Sequence, residues 1–137
     1  MEYRKLGSLN VSLVGIGCNN FGWRIDAGGT KAVVDAALDA GINFFDTADV
    51  YGAGQSEEFL GTAIKGRRDK AIIATKFGIK MGEGKEGAGA KYIREAVDAS
   101  LKRLGVNTID LYQIHRPDPN TPIEETLHAR SRSRGPS

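Results

Sequence analysis

FFDTADVYGAGQSE, residues 44–57, decides how this chain is read. Two phenylalanines run into Asp46, and Asp49, Tyr51, Gly52, Gly54 and Ser56 follow within ten residues. An apolar run that ends in an acid, a tyrosine and a glycine-rich turn has two readings. It is an ordinary strand-to-helix connection, or it carries a reacting group at the mouth of a pocket. The flanking segments choose between them.

Upstream, TKAVVDAALDA (30–40) places Val34, Ala37 and Leu38 on one helical face, with Thr30 as N-cap and Gly41 as the stop. Downstream, SEEFLGTAIKG (56–66) stripes Phe59, Leu60, Ala63 and Ile64, with Ser56 as N-cap and glutamates in the favourable first turn. AIIATKFG (71–78) is a continuous apolar strand. YIREAVDASLKRLG (92–105) stacks Ile93, Val97, Leu101 and Leu104 and stops at Gly105, with Lys102 and Arg103 in its last turn. TIDLYQIH (108–115) reads as the next strand, and TPIEETLHA (121–129) as a helix with Pro122 at its first position. An earlier strand is expected at Leu13–Ile16, and GEGKEGAGA (82–90) reads as a mobile loop.

Strand and helix in alternation, with strands apolar throughout, describe βαβ units and a parallel sheet buried on both faces. Two architectures satisfy that pattern: a doubly wound open sheet and part of a (β/α)₈ barrel. The open sheet expects a glycine fingerprint after its first strand. Gly15-Ile16-Gly17 is followed by Cys18, Asn19 and Asn20, and Gly52-Ala53-Gly54 meets Glu57 where a third glycine belongs. Gly84-Lys85 is followed by Glu86, so no Walker-type loop is present.

Each strand ends in a chemically useful side chain: Asp46, then Lys76, then His115, with Tyr51 in the loop beyond Asp46. In a parallel barrel these ends emerge on one face. Taken singly, an acid there is also a common turn former or cap, and a lone lysine or histidine is commonly structural. Four together compose a site. An ammonium beside a phenol stabilises its charged form, and a carboxylate anchors the ammonium. Lys76 is thus expected to tune Tyr51, Asp46 to hold Lys76, and neutral His115 to orient a substrate oxygen. One proton donor, an oriented carbonyl and no nucleophile–base pair suit reduction, the hydride coming from a cofactor.

At 137 residues the chain holds one domain with a modest core. Hydrophobic residues at 40% and charged residues at 26% fit a globular rather than a disordered chain. No stretch approaches the ~20 apolar residues of a membrane span, and the first ten residues lack a signal-peptide core. The single cysteine, Cys18, excludes an internal disulfide and makes a cytoplasmic location the expectation. Arg130, Arg132 and Arg134 carry three positive charges, and without them the net charge of +2 becomes −1. The body therefore offers no electrostatic case for nucleic acid. Two histidines on separate elements give no metal cluster.

FFDTADVYGAGQSEEFLG, ATKFG and SLKRLGVNTIDLYQIHRPD together resemble signature stretches of the aldo-keto reductase family, in the family's order and at comparable spacing. The likeness runs from about Arg4 to His128. It implies a (β/α)₈ barrel that uses NADPH, with NADH possible, to reduce aldehydes or ketones. The family's catalytic tetrad falls on Asp46, Tyr51, Lys76 and His115, with Tyr51 as general acid. The resemblance further implies cofactor contacts from Gly17, Cys18, Asn19 and Asp46. Trp23, with Tyr51 and His115, would line the substrate pocket, and MEYRKLGSLNVS would form the hairpin that plugs the barrel floor.

A complete barrel takes ~250 residues. The expectation is therefore a truncated half barrel with about four parallel strands, spanning 1–129, followed by a non-family Arg/Ser tail at 130–137. Open sheet edges make self-association an expectation too. A regulatory protein on the same fold, resembling potassium-channel beta subunits, and a non-functional truncated product are the competing readings.

Overall fold

The computed structural model describes residues 1–132; residues 133–137, most of the expected tail, lie outside the described residues. The chain enters through an antiparallel hairpin, β1 (Tyr3–Leu6) and β2 (Leu9–Ser12), in which Leu6 faces Leu9 across a two-residue connection. Gly7 turns there at φ 61°, the left-handed region that tight hairpins need. Four βα units follow, beginning with β3 (Gly15–Gly17) and α1 (Ala27–Asp39), then β4 (Phe44–Asp46) and α2 (Gln55–Ala63), β5 (Ile72–Phe77) and α3 (Ala90–Leu104), and β6 (Leu111–Ile114) and α4 (Ile123–Arg132).

β3 to β6 form one parallel sheet in the order β3-β4-β5-β6, matching Gly17 to Asp46, Asp46 to Ala74, and Lys76 to Gln113. A doubly wound sheet reverses its strand order at a switch point. Unbroken chain order is instead how a (β/α)₈ barrel is laid down, and this sheet is a segment of one. The hairpin sits at the opposite end from Asp46: Tyr3 Oη donates to Gly41 O at 2.7 Å, and Ser12 N donates to Asn43 Oδ1 at 2.7 Å.

One core packs Phe21, Val34, Phe45, Leu60, Ile64 and Ile73 between sheet and helices, and a second packs Phe77, Ile93 and Ala96 with Tyr112 against it. Helices α2 and α3 approach closely at Gly61. A Cβ there would lie 2.2 Å from the carbonyl oxygen of Leu104, which only glycine avoids.

Several boundaries differ from the sequence reading, each for a local reason. β3 starts at Gly15 rather than Leu13, because Leu13 N is already spent on Glu2 O and both Leu13 and Val14 are exposed. Asp26, not Thr30, caps α1: its carboxylate accepts from Gly29 N at 2.8 Å, and Thr30 is buried inside the helix. Gly54, at φ 98°, caps α2 in place of Ser56. The 82–89 loop is tied down at its end, where Ala88 N donates to Asp118 Oδ2 and Ala88 O accepts from Thr126 Oγ1. α4 continues through residues 130–132.

Candidate active site

The ladder between β4 and β5 outlives both strands. Thr47 N donates to Ala74 O at 2.8 Å and Asp49 N to Lys76 O at 3.2 Å, so residues 47–49 stay fastened to β5. The chain then makes a tight kinked turn, Tyr51–Gly54, with Gly52 at φ 57° and Ala53 at φ 53°. A Cβ on Gly52 would meet Phe21 O at 2.9 Å, which keeps that position glycine. Ala53 is the one non-glycine residue in the left-handed region among the described residues, a cost of roughly 1–2 kcal/mol accepted beside Tyr51.

This clasp brings the four strand-end groups together. Lys76 Nζ donates to Asp46 Oδ1 at 2.6 Å and to Thr47 O at 2.9 Å, and stands 5.2 Å from the centroid of the Tyr51 ring. The Tyr51 and His115 rings meet edge to face, centroids 5.7 Å apart at 88°. His115 is placed by its backbone, whose N–H donates to Phe77 O at 2.8 Å just past β6. Burial, then the Lys76 and Arg116 cations, hold the His115 imidazole below its usual range, with Asp46 opposing. The imidazole is therefore neutral near pH 7. A phenol, a paired ammonium and a neutral imidazole thus stand together at the carboxyl ends of parallel strands.

Residues 13–130 match the model of the aldo/keto reductase family. The chain belongs to the aldo-keto reductase family. It is 42% identical over 135 residues to the uncharacterized oxidoreductase YqkF of Bacillus subtilis (strain 168), covering 94% of this chain and 44% of that protein. A probable voltage-gated potassium channel subunit beta from Oryza sativa subsp. japonica is 40% identical over 136 residues, covering 94% of this chain and 42% of that protein. The solved aldo-keto reductase AKR11C1 from Bacillus halodurans, in its holo form, superposes with a TM-score of 0.86 at 43% identity, covering 96% of this chain and 46% of that one. The chain thus spans less than half the length of these relatives, and its fold is a partial TIM barrel.

In this aldo-keto reductase chain the other expected contacts fall into two groups. Gly17 and Asn19 are exposed beside Asp46, on the same face as the tetrad. Cys18 faces inward. It is fully buried, its N–H is spent on Asp46 O, its carbonyl accepts from Ser56 Oγ, and burial pushes its thiol up to about 12. The residue fastens β3 to β4 from inside. Trp23 is 67% exposed, with the Arg24 guanidinium 4.4 Å from its ring centroid. It lines a shallow groove with Gln55 and Phe59.

Sequence reasoning missed a polar network behind these four side chains. Ser56 is fully buried and shares a 2.8 Å hydrogen bond with Thr47 Oγ1, so it bolts the turn to the strand instead of capping a helix. Glu57 is 0% exposed; it accepts from Thr75 Oγ1 and from Arg103 Nε, each at 2.6 Å. Asp49 is 1% exposed, and burial, then the Glu57 charge, push its carboxyl up to about 7. A signal existed in the spacing. Glu57, Leu60 and Ile64 stand at helical intervals on one face, so the buried stripe of α2 begins at the glutamate.

Proposed function

We propose that the chain carries the proton-donating half of an NAD(P)H-dependent carbonyl reduction. The observation behind this reading is the 2.6 Å Lys76–Asp46 pair set beside the Tyr51 ring, with His115 edge-on to the same ring. Tyr51 Oη is the general acid that protonates the carbonyl oxygen of an aldehyde or ketone. Lys76 stabilises the negative charge left on the phenol oxygen, Asp46 fixes Lys76, and neutral His115 donates a hydrogen bond to the substrate oxygen. Positioned proton transfer of this kind is worth about 10²–10⁴ in rate.

Aldo-keto reductases generally use NAD(P)H, and a nicotinamide cofactor would supply the hydride at the carbonyl carbon. The residues present fit its nicotinamide–ribose end: Asp46 is 43% exposed at the strand end, so its carboxylate is within reach of ribose hydroxyls. Gly17 leaves open space, a Cβ there meeting only Asn19 Oδ1 at 3.6 Å. NADPH is the proposed cofactor, with NADH the alternative. Trp23 is proposed as a wall of the substrate groove. No helix among the described residues is long and apolar enough to cross a membrane, and a cytoplasmic location belongs to the same proposal. So does self-association through β3 and β6, each of which has a single neighbour in the sheet.

The test is NADPH oxidation followed by absorbance with a generic aldehyde, comparing the chain with Tyr51→Phe. Turnover that disappears in the variant supports the proposal, whereas turnover that survives removes Tyr51 from its role. The similarity to the rice channel subunit favours a second reading, a non-catalytic partner protein. Absence of turnover in both chains is the outcome that reading expects.

A further inference from the structure

Tyr51 and Lys76 come from different elements, so something must fix their separation. Tyr51 sits in the turn before α2, and Lys76 sits in β5 with Thr75 as its neighbour on the opposite side of the strand. The backbone bonds of residues 47 and 49 hold the start of the loop but stop short of Tyr51. Behind the turn, three elements meet in one buried contact. Glu57 lies in the first turn of α2, three residues after Gly54. One carboxylate oxygen takes the Thr75 hydroxyl at 2.6 Å, and the other takes Arg103 Nε from α3, also at 2.6 Å. Arg103 is itself braced by Ser100 Oγ at 3.3 Å.

The stem of Arg103 reaches the turn as well. A Cβ on Gly54 would fall 2.9 Å from Arg103 Cδ, so the turn that ends Tyr51–Gly54 rests directly on the arginine. Glutamate and arginine thus touch both sides of the site from behind: Gly54 on the tyrosine side, Thr75 on the lysine side. Among the described residues neither hydrogen-bonds to Asp46, Tyr51 or Lys76. Asp49, buried alongside, and Tyr112, whose buried Oη has no hydrogen-bond partner among the described residues, complete the polar pocket.

We propose that Glu57 and Arg103 are positioning residues that set the approach of Lys76 to Tyr51 by clamping the Gly54 turn and the Thr75 strand to one carboxylate. The proposal rests on the functional reading above for its relevance to catalysis, but its geometry is measurable without turnover. Lys76 Nζ stands over the Tyr51 ring, so the lysine ε-protons lie in the ring-current field and within cross-relaxation range of the ring protons.

The experiment is NMR of the 137-residue chain, with Tyr51→Leu supplying the Lys76 ε-proton position in the absence of the ring. Glu57→Gln and Thr75→Val keep side-chain shape while weakening or removing one arm of the clamp. Each is expected to lose the Lys76–Tyr51 cross-peaks and to move the ε-protons to the Tyr51→Leu position, while the rest of the spectrum stays folded. Thr75→Ser, which retains the hydroxyl, is expected to keep the cross-peaks. Cross-peaks and shifts unchanged in either folded variant overturn the proposal. Should both variants fail to fold, the pair is a stability element only, and the proposal is overturned in that case too. Loss of activity in Tyr51→Phe leaves this readout untouched, so the two failures are distinguishable.

Discussion

Arg103→Ala is expected to destabilise the chain by about 3–5 kcal/mol, the usual consequence of stranding one partner of a buried ion pair. Glu57 is 0% exposed, and without Arg103 its carboxylate keeps only the Thr75 hydroxyl while Asp49 stays buried nearby. Loss on that scale is a large share of the about 5–15 kcal/mol by which ordinary domains are stable, so the variant is expected to unfold at a much lower urea concentration. The contrast is Lys31→Ala. Its i,i+4 bond to Asp35 is largely exposed, so about 0.3–0.5 kcal/mol is expected, and Asp35 retains its ion pair with Arg67. Urea unfolding of the three chains checks this. A cost below about 1 kcal/mol for Arg103→Ala would show that water reaches Glu57 and that the pair is not a buried clamp.

Asp49 is expected to make stability fall as pH rises through the neutral range, the reverse of the usual carboxylate behaviour. Its folded-state value of about 7 lies above the ordinary 3.8. Between those values the folded chain holds a proton that the unfolded chain releases. The contribution is fully present below pH 3.8 and is lost as pH climbs through about 7. The slope approaches about 1.4 kcal/mol per pH unit within the window, on the order of a few kcal/mol in all. Asp49→Asn keeps the shape without the charge, so its stability is expected to exceed that of the parent above pH 7. Asp35 and Asp118, held below the carboxylate range by their hydrogen bonds, act with the opposite sign at lower pH, and His115 likewise favours folding as pH rises. All three are shared by both chains and drop out of the difference. Parallel stability curves for the two chains from pH 4 to 8 would show that Asp49 is ionised in the folded state.

How much of this was legible beforehand follows from where each signal resides. The parallel sheet was readable because runs such as AIIA (71–74) are apolar at every position, which marks strands buried on both faces. Convergence of Asp46, Lys76 and His115 was readable because each stands at the end of such a run, and β4, β5 and β6 pair in parallel. The helix starts were misplaced because capping is a contest settled by geometry. Asp26 and Thr30 are both competent caps, and a Gly54 cap leaves no side-chain signature. The network behind the site was hidden because charge was read as exposure. Glu57 and Arg103 sit where helix-dipole reasoning puts solvated glutamate and arginine, and only burial shows that they face each other. The inward turn of Cys18 was hidden because a resemblance places a residue in a loop without saying which way it faces.

The central claim is that Lys76, Tyr51 and His115 share one face, and it can be tested without cofactor or substrate. His115 and His128 are the chain's two histidines, so an NMR pH titration resolves His115 with little overlap. Its imidazole is expected to titrate below the usual value of 6.5, and Lys76→Met is expected to raise that midpoint by removing one of the two nearby cations and leaving Asp46 opposed by Arg116 alone. A midpoint at or above 6.5 that ignores the Lys76→Met substitution would place the lysine away from the histidine and contradict the assembled site.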